Sequence, residues 1–490
     1  MPVSIDEITS LKEFYTAAGQ GHVFTFFDDL STEKQQLFVA QLKDIDPSFI
    51  NRVYEKVTAD EKVTQEQNEI KPFPAERSGS ILTANKETID DWETTGLKAI
   101  AQNQVAVILM AGGQGTRLGS SAPKGCYDIN HPSHKSLFQL QAERIIRLQS
   151  LAQQYTEDES SEVIIPWYIM TSGPTHTATI EHFEQHDYFG LKKSNVVFFN
   201  QGIMPCVSYD GKILLETKSK LAIAPNGNGG IYDALRRDGI LDDLATRGIR
   251  FIHSYCVDNC LVKVADPMFM GYCISKEADC GNKVVRKAYP TEPIGVVSLR
   301  NGKPKVVEYS EIDPSMAELT DQEGQLVYKA GNIANHFYTL DFLQRVKTFE
   351  DKLDYHVAKK KIKHVDLTTG EKIVPSSPNG IKFEVFVFDV FPFTENLAVF
   401  EVDRKEEFSP LKNAPGSGVD CPETSLRDIT QQGLRFLQNS GAIVENIQED
   451  VIPVEISPLV SYNGEGLETL AGKVLSAPVY INSLEDLSRL

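Results

Sequence analysis

A glycine-rich loop after an apolar segment holds the residues of this sequence best suited to chemistry. Residues 105–110 (VAVILM) have the length and β-branched content of a buried strand, and residues 111–119 read AGGQGTRLG. Glycines let the backbone turn sharply and approach a ligand closely, so that N–H groups can face phosphate oxygens. Arg117 and Lys124 add a guanidinium and an ammonium nearby. This combination of donors predicts a site for a triphosphate.

The loop differs from the two common glycine-rich phosphate motifs. The dinucleotide fingerprint requires glycine at the sixth position of G-x-G-x-x-G, and counting from Gly113 that position is Leu118. A P-loop requires Gly-Lys-Ser or Gly-Lys-Thr at the start of a helix, and this loop has neither. The residue pattern of the loop, followed by Pro123 and Lys124, is instead typical of sugar nucleotidyltransferases.

Three other places carry candidate ligand-binding groups. Residues 226–230 (NGNGG) form a second glycine-rich turn before a probable helix; its amides could bind a base, a ribose or a sugar, although a surface turn has the same composition. Asp258 follows the probable strand 250–257, where a carboxylate could hold Mg²⁺, but aspartate at a strand end is also a common turn former. Lys382 is a lone cation in an apolar stretch, either extending from a strand edge or holding an anion.

Neutral and acidic groups suited to sugar hydroxyls are offered by Glu308, Tyr309 and Asn332. His336, in an apolar setting, is more typical of a core histidine than of a catalyst. The sequence shows no Ser/His/Asp set and no carboxylate pair at a useful spacing. Positioning and charge neutralisation, as in phosphoryl-type transfer, are compatible with that absence.

The probable elements that position these residues alternate between strands and helices. Strands are predicted at 163–170, 195–199 and 250–257, a helix at 136–155, and a hairpin around Asn301-Gly302. The alternation predicts an α/β fold with a Rossmann-like, doubly wound, mostly parallel sheet, whose ligands bind beyond the carboxyl ends of its strands. The lysine run 359–361 is predicted to be the solvated face of a helix.

Three consecutive segments are predicted along the chain. Residues 1–100 are expected to be mainly helical, with Ser31 as an N-cap and a linker at 71–75; residues 101–385 form the central catalytic domain; residues 386–490 form a small α+β domain. Strands at 397–400 and 451–456 and a helix at 425–440 are assigned to the last segment.

Composition limits the partners. The 490 residues carry a formal net charge of −19, which argues against binding to nucleic acids or anionic membranes and predicts a local basic pocket assisted by a divalent cation. The seven cysteines form no CxxC pair, so we expect buried free thiols in a reducing compartment. With no signal-peptide or membrane-spanning pattern, a cytoplasmic location is expected. The alternative is peroxisomal, because Ser488-Arg489-Leu490 is similar to the Ser-Lys-Leu address.

Beyond the loop, the chain closely resembles the eukaryotic UDP-N-acetylglucosamine pyrophosphorylases over nearly everything after residue 100. The stretches that carry the resemblance are PWYIMTSG (166–173), SYCVDN (254–259), PTEPIGVV (290–297), VVEYSEI (306–312), AGNIANHF (330–337), PNGIKFE (378–384), FSPLKNA (408–414) and EISPLVSY (455–462). UDP-glucose pyrophosphorylases share the general architecture but lack the Gly-Thr-Arg-Leu-Gly pattern of the loop.

The resemblance implies a reaction and a set of roles. UTP and N-acetylglucosamine 1-phosphate would give UDP-N-acetylglucosamine and pyrophosphate by direct attack on the α-phosphorus, with Mg²⁺ or Mn²⁺. The implied catalytic residues are Arg117, Lys124 and Lys382; the nucleotide would be bound by Met110, Ala111, Gly112, Gly113, Gln201, Gly227 and Asp258; the sugar by Asn228, Glu308, Tyr309, Asn332 and Lys412; Asp258 would also hold the metal. The protein would be a monomer or a weak homo-oligomer.

Other functions remain open at this point. A UDP-glucose or broad UDP-sugar pyrophosphorylase would differ in its pocket for the N-acetyl group, which the sequence does not locate. A catalytically silent UDP-sugar binding protein would be expected to have lost one of Arg117, Lys124, Asp258 and Lys382, and all four are present. An NAD-binding protein is a more distant alternative.

Overall fold

A computed structural model of the chain describes residues 4–60, 69–158, 160–447 and 454–490. Within them the chain forms two compact units. Unit 1 contains 1–68, 201–234 and 345–390, and unit 2 contains 69–200, 235–344 and 391–490, in each case within the described ranges. Each unit is thus assembled from segments far apart in sequence, whereas the sequence suggested three consecutive segments. That three-segment division stays a prediction.

The α-helices begin and end with residues that suit these positions. Ser31, for example, is the N-cap of the second helix, where its side chain accepts a hydrogen bond from the amide of Lys34, as predicted. The helices are α1 (Ile5–Ala17), α2 (Thr32–Lys43), α3 (Pro47–Asp60), α4 (Lys86–Ala101), α5 (Leu137–Ala152), α6 (His176–Gln185), α7 (Ile231–Arg237), α8 (Ile240–Thr246), α9 (Pro267–Ser275), α10 (Pro314–Ala317), α11 (Leu340–Arg345), α12 (Arg404–Glu407), α13 (Pro422–Asn439) and α14 (Leu484–Arg489).

The strands vary from two to ten residues. They are β1 (Ile70–Pro72), β2 (Ser78–Ser80), β3 (Val105–Met110), β4 (Trp167–Thr171), β5 (Val196–Asn200), β6 (Ile203–Pro205), β7 (Val207–Ser208), β8 (Leu215–Thr217), β9 (Lys220–Leu221), β10 (Ile223–Pro225), β11 (Phe251–Cys256), β12 (Cys280–Arg286), β13 (Val296–Arg300), β14 (Lys303–Val307), β15 (Ala330–Thr339), β16 (His356–Lys360), β17 (His364–Val365), β18 (Lys372–Ile373), β19 (Gly380–Glu384), β20 (Leu397–Glu401), β21 (Ile443–Glu445), β22 (Val454–Ile456), β23 (Val474–Ser476) and β24 (Val479–Ile481).

Unit 2 is built around one large mixed sheet. Its strands follow the order β2-β20-β12-β15-β11-β3-β4-β5, and the β13–β14 hairpin joins through β15. β15 runs antiparallel to both neighbours, whereas the other pairs in this run are parallel. The predicted α/β class and mostly parallel sheet are therefore confirmed, as is the hairpin at Asn301-Gly302.

The carboxyl ends of the central strands lie at one edge of this sheet. Met110 of β3 is in register with Cys256 of β11 and with Met170 of β4. β15 runs the other way, with Asn335 opposite Tyr255, so that its first residues lie at the same edge. This register places the glycine-rich loop, Asp258 and Asn332 along one edge of unit 2.

Apolar residues explain why these strands are central. All six residues of β3 are buried. Apolar residues of β3 pack with residues of the helices α4, α5, α6 and α9 in one continuous core. Trp167 of β4 and Phe138 of α5, for example, both pack against Phe183 of α6. A strand that is apolar on both faces needs cover on both faces, which the helices of an α/β fold provide.

Unit 1 has its own core and small sheets. Tyr15, Phe27 and Phe38 from the N-terminal helical region pack with residues of 204–221 and 365–383. Its sheets are β16-β19-β7, β10-β6, β8-β9 and β17-β18, all antiparallel. The N-terminal helical region that the sequence predicted is confirmed.

Some predicted elements differ from the structure. Lys359 and Lys360 are exposed as predicted but belong to β16, an edge strand rather than a helix; charged residues suit either setting, because an edge strand uses them to prevent unwanted pairing. The expected linker at 71–75 begins inside β1, where Pro72 is tolerated at the end of an edge strand. β20, expected in a C-terminal domain, pairs with β12 in the large sheet. The predicted strand 451–456 is present as Val454–Ile456, and residues 451–453 lie outside the described residues.

Two expectations from the composition can be compared with the structure. All seven cysteines are free thiols, and five of them are buried, as expected. No helix in the described part of the chain is long and apolar enough to cross a membrane.

The buried histidines His253 and His336 predict a loss of stability in acid. Burial lowers the pKa of each to about 3, whereas an unfolded histidine titrates near 6.5. Between these values the unfolded chain binds the extra proton, so the free energy of unfolding should fall with decreasing pH by about 1.4 kcal/mol per pH unit for each histidine. Denaturant unfolding between about pH 7 and about pH 5 measures this slope.

His253→Gln should lower that slope by the contribution of His253 alone, about 1.4 kcal/mol per pH unit. His134→Gln, at a side chain that is 72% exposed, is the matched control and should leave the slope unchanged. Equal slopes for the wild type and His253→Gln would contradict the assignment of neutral, buried imidazoles.

Candidate functional site

The glycine-rich loop is held by backbone contacts on one side and is open on the other. Ser172 Oγ donates to the carbonyl of Gly112 at 2.7 Å, and the amide of Lys124 donates to the carbonyl of Gly113 at 3.1 Å. Among the described residues, the amides of Gly112, Gly113 and Gln114 have no acceptor. A Cβ built on Gly113 meets no atom within 4 Å. These free amides beside open space suit an anionic ligand.

The other residues of the glycine-rich motif differ in which of their groups are available to a ligand. The amide of Ala111 donates to the carbonyl of Met170 at 2.8 Å, so the sheet uses it, and Met110 and Ala111 are buried. Arg117 lies in the short turn Thr116–Leu118 and is exposed. Its guanidinium has no ion-pair partner within the residues described and is available to an anion.

Lys124 and Asp258 meet at the edge of the sheet. Lys124 Nζ lies 3.4 Å from Asp258 Oδ2, and the side chains are 18% and 21% exposed. The two residues are separated by 134 positions and come together because β3 and β11 are neighbours. A half-buried ammonium next to a carboxylate can neutralise a phosphate while the carboxylate binds a cation.

The segment that carries Lys412 is bonded to Asp258 through its backbone. The amide of Leu411 donates to the carbonyl of Asp258 at 2.8 Å, and the amide of Lys412 donates to the carbonyl of Asp420 at 2.7 Å. The thiol of Cys256 is affected by all three charges: burial raises its pKa to about 12, Asp258 acts in the same direction, and the ammonium groups of Lys412 and Lys124 oppose it. The thiol therefore stays protonated and is no nucleophile.

A buried cluster of charged side chains includes Glu407, which lies just before Lys412 in the chain. Lys283 is fully buried, and its Nζ lies 2.5 Å from Asp266 Oδ2 and 2.5 Å from Glu407 Oε2. These carboxylates raise the pKa of Lys283 against the effect of burial. Asn259 Nδ2 donates to the carbonyl of Glu407 at 2.6 Å, which fixes the chain five residues before Lys412. The cluster thus supports the position of Lys412 beside Asp258.

Glu308 and Asn332 meet around Gly295 at the same edge. The amide of Asn332 donates to the carbonyl of Gly295 at 2.8 Å. A Cβ on Gly295 would lie 3.1 Å from Glu308 Oε1, so a larger residue would crowd this carboxylate. Tyr309, the next residue, is 52% exposed. Acceptor and donor groups placed together in this way suit sugar hydroxyls.

Unit 1 holds the remaining predicted residues. Gln201 Nε2 donates to the carbonyl of Gly227 at 2.6 Å, and Asn228 Oδ1 accepts from the amide of Val387 at 3.0 Å. Gly227 has φ +85, and a Cβ there would lie 2.4 Å from the carbonyl oxygen of Val385, so only glycine fits. Lys382 is in β19, with its side chain 26% exposed and Nζ 4.0 Å from Glu384 Oε1.

Comparison with known proteins identifies the family. The family model for UTP--glucose-1-phosphate uridylyltransferase matches residues 48–417. UDP-N-acetylglucosamine pyrophosphorylase of Saccharomyces cerevisiae is 43% identical over 480 residues, which cover 95% of this chain and 98% of the relative. The chain belongs to the UDP-N-acetylglucosamine pyrophosphorylases of this family. It is thus a uridylyltransferase of the diphosphorylase type, which confirms the resemblance.

Other pyrophosphorylases agree in length and fold. UDP-N-acetylhexosamine pyrophosphorylase-like protein 1 of Xenopus tropicalis is 48% identical over 486 residues, covering 95% of this chain and 94% of the relative. The crystal structure of the uridine diphosphate N-acetylglucosamine pyrophosphorylase from Trypanosoma brucei has a TM-score of 0.80 and 29% identity, and covers 97% of this chain and 98% of that chain.

Sequence reasoning missed buried residues whose hydrogen bonds and ion pairs hold the backbone of this candidate site in place. Ser172, Asn259 and Glu407 are buried and act on the backbone of Gly112, on segment 407–409 and on Lys283. Ser172 and Asn259 lie in stretches that carried the resemblance, PWYIMTSG and SYCVDN, which was the available signal. Their partners could not be inferred, since each contact joins residues far apart in sequence.

Proposed function

We propose that this protein makes UDP-N-acetylglucosamine and pyrophosphate from UTP and N-acetylglucosamine 1-phosphate. The observation that carries the proposal is the Lys124–Asp258 pair beside the open amides of the glycine-rich loop, with the backbone of the Lys412 segment bonded to Asp258. A cationic, amide-rich surface at a sheet edge suits a triphosphate, and Glu308 and Asn332 at the same edge suit a sugar. The relatives named above support the choice of sugar.

The chemistry needs little from the protein beyond placement and charge. An oxygen of the sugar phosphate attacks the α-phosphorus of UTP, and the bond to pyrophosphate breaks in line. Arg117 and Lys124 would neutralise the triphosphate and the leaving pyrophosphate, and Lys412 would assist from the C-terminal segment. We assign Met110, Ala111, Gly112 and Gly113 to the nucleotide by resemblance. Gln201, Gly227, Asn228 and Lys382 of unit 1 keep their roles toward uracil, nucleotide and sugar phosphate as predictions.

The residues fit a divalent cation that is bound mostly by substrate. Asp258 supplies one hard carboxylate oxygen, and no group of three or more His, Cys, Asp or Glu that could hold a metal exists among the described residues. Mg²⁺ is usually bound in this way, by one or two carboxylates plus phosphate oxygens and water. Bound Mg²⁺ or Mn²⁺ would neutralise phosphate charge. The preferred metal, the cytoplasmic location and the state of a monomer or weak homo-oligomer stay predictions.

The direct test compares three sugar phosphates. Pyrophosphate release from UTP with Mg²⁺ is measured with N-acetylglucosamine, N-acetylgalactosamine and glucose 1-phosphates in parallel. We expect fast turnover with N-acetylglucosamine 1-phosphate and slow turnover with glucose 1-phosphate. If glucose 1-phosphate is the best substrate, the protein is a UDP-glucose pyrophosphorylase. Tight UTP binding without release from any sugar phosphate would indicate a silent binding protein.

Asp258→Asn should weaken the dependence on metal. Loss of the charge should lower kcat by about a hundredfold and raise the Mg²⁺ concentration for half-maximal activity, because the amide binds the cation poorly. Titration of activity with Mg²⁺ and Mn²⁺ measures both effects. Asp28→Asn, at an exposed aspartate whose Oδ1 lies 2.9 Å from Lys12 Nζ, is the matched control. Unchanged metal dependence in Asp258→Asn would contradict the assignment.

A further inference from the structure

A chain of hydrogen bonds runs through β15 to Asn332. The backbone amide of Ala334 donates to Asn332 Oδ1 at 3.0 Å. Because a backbone amide can only donate, this contact identifies the oxygen of the Asn332 side chain. His336 Nε2 lies 3.3 Å from the same oxygen. An amide oxygen cannot donate, so Nε2 of His336 must carry the proton.

The protonation state of His336 completes the chain. His336 is fully buried, and burial lowers its pKa to about 3, so the ring is neutral. With the proton on Nε2, Nδ1 is an acceptor, and the hydroxyl of Tyr338 lies 3.2 Å from it. The donor order is therefore Tyr338 to His336 to Asn332. A single tautomer satisfies every contact.

Two hydrogen-bond donors to Oδ1 determine the orientation of the Asn332 side-chain amide. Its Oδ1 is occupied by Ala334 and His336, whereas Nδ2 has no acceptor in the part of the chain that the structure describes. Asn332 is partly exposed, and its backbone amide donates to the carbonyl of Gly295, the glycine next to which the Glu308 carboxylate lies. The side-chain amide of Asn332 therefore presents its N–H groups, and not its oxygen, to a ligand.

We propose that His336 is a positioning residue that fixes Asn332 as a hydrogen-bond donor to an acceptor oxygen of the sugar. This inference rests on the proposed function, since it takes the sugar phosphate to be the ligand at Asn332. The acceptor is either a ring hydroxyl or the carbonyl of an N-acetyl group, which share the chemistry of an oxygen lone pair. Without His336, only the backbone amide of Ala334 would hold the Asn332 oxygen, and the side chain would be less firmly oriented.

The structure supplies a matched control in the adjacent strand. His253 of β11 is also fully buried with a pKa lowered to about 3, and its ring contacts Asn335 Oδ1 and accepts from the amide of Ala265 at 2.9 Å. It thus resembles His336 in burial and charge but makes no contact with Asn332. A merely structural role for a buried histidine should appear equally in both.

The kinetic experiment compares the variants His336→Phe, His336→Gln, His253→Phe and Asn332→Ala of the full-length protein. His336→Phe should raise KM for the sugar phosphate about fivefold or more, as expected for one lost hydrogen bond, and leave KM for UTP unchanged. His336→Gln should restore it, since the glutamine amide can donate in place of Nε2. His253→Phe should leave KM for the sugar phosphate unchanged. Asn332→Ala should match His336→Phe.

The sugar phosphates distinguish the two acceptors. If the KM effect is larger for N-acetylglucosamine 1-phosphate than for glucose 1-phosphate, the N-acetyl carbonyl is the acceptor. If the effect is equal, a hydroxyl is the acceptor. Either result supports the proposal. Equal effects of His336→Phe and His253→Phe on this KM, or an unchanged KM in Asn332→Ala, would overturn it.

A second measurement needs neither activity nor a substituted histidine. Nitrogen chemical shifts of ¹⁵N-histidine in the wild-type protein should show a neutral ring at His336 with the proton on Nε2, and Tyr338→Phe should shift the Nδ1 resonance. A proton on Nδ1, or a charged ring at neutral pH, would overturn the proposal. Failure of turnover with every sugar phosphate would instead refute the proposed function, and the ring tautomer would still be measured.

Discussion

Lys124→Ala should lower kcat for pyrophosphate release by about a hundredfold or more while the protein stays folded. The ammonium acts on negative charge that develops on the phosphates in the transition state, and loss of one such donor typically has this effect. Folding should change little, because the Lys124–Asp258 pair is long at 3.4 Å and both side chains are partly exposed. We expect a change in the free energy of unfolding of less than about 1 kcal/mol.

A lysine–aspartate pair of unit 1 provides the control. Lys56 Nζ lies 3.7 Å from Asp354 Oδ1, and Lys56→Ala removes the same charge from the protein. Steady-state kinetics and thermal unfolding are measured for both variants. Lys56→Ala should retain wild-type kcat. A folded Lys124→Ala variant that retains wild-type kcat would contradict the catalytic role of Lys124.

Lys283→Ala should strongly destabilise this protein. Lys283 is fully buried between Asp266 and Glu407, with Nζ 2.5 Å from an oxygen of each. Its removal leaves two buried carboxylates without their shared partner, since the remaining Lys263 lies 3.5 Å from Glu407 only. Breaking a buried ion pair from one side costs about 3–5 kcal/mol. Denaturant unfolding at neutral pH measures this loss.

A surface pair separates the effect of burial from that of charge. Lys192 and Glu162 form an ion pair with side chains 61% and 56% exposed. Lys192→Ala should change the free energy of unfolding by less than about 1 kcal/mol. An equally small change in Lys283→Ala would show that the carboxylates are neutral or hydrated there, which contradicts the buried ion cluster. Glu407 also precedes the segment that carries Lys412, so a partly folded Lys283→Ala variant should bind substrate less tightly.

Local patterns predicted much of the fold because they report local physics. The strand Val105–Met110, the helix Leu137–Ala152 and the Asn301-Gly302 hairpin were all predicted from apolar periodicity and turn residues. Prediction was weakest where one pattern fits two structures. The lysines at 359–361 suit an exposed helix and an edge strand equally, and only pairing with β19 distinguishes these alternatives.

Residue types and their spacing were enough to predict the chemistry of the loop and, through the motifs, the family. Glycine, arginine and lysine have fixed donor groups whatever surrounds them, so their spacing after a strand is informative without a fold. The folded chain was needed to show that Lys124 lies beside Asp258, that Lys283 is buried, and that the His336 proton is on Nε2. These properties depend on which distant residues come into contact and on how much water they exclude, which folding alone determines.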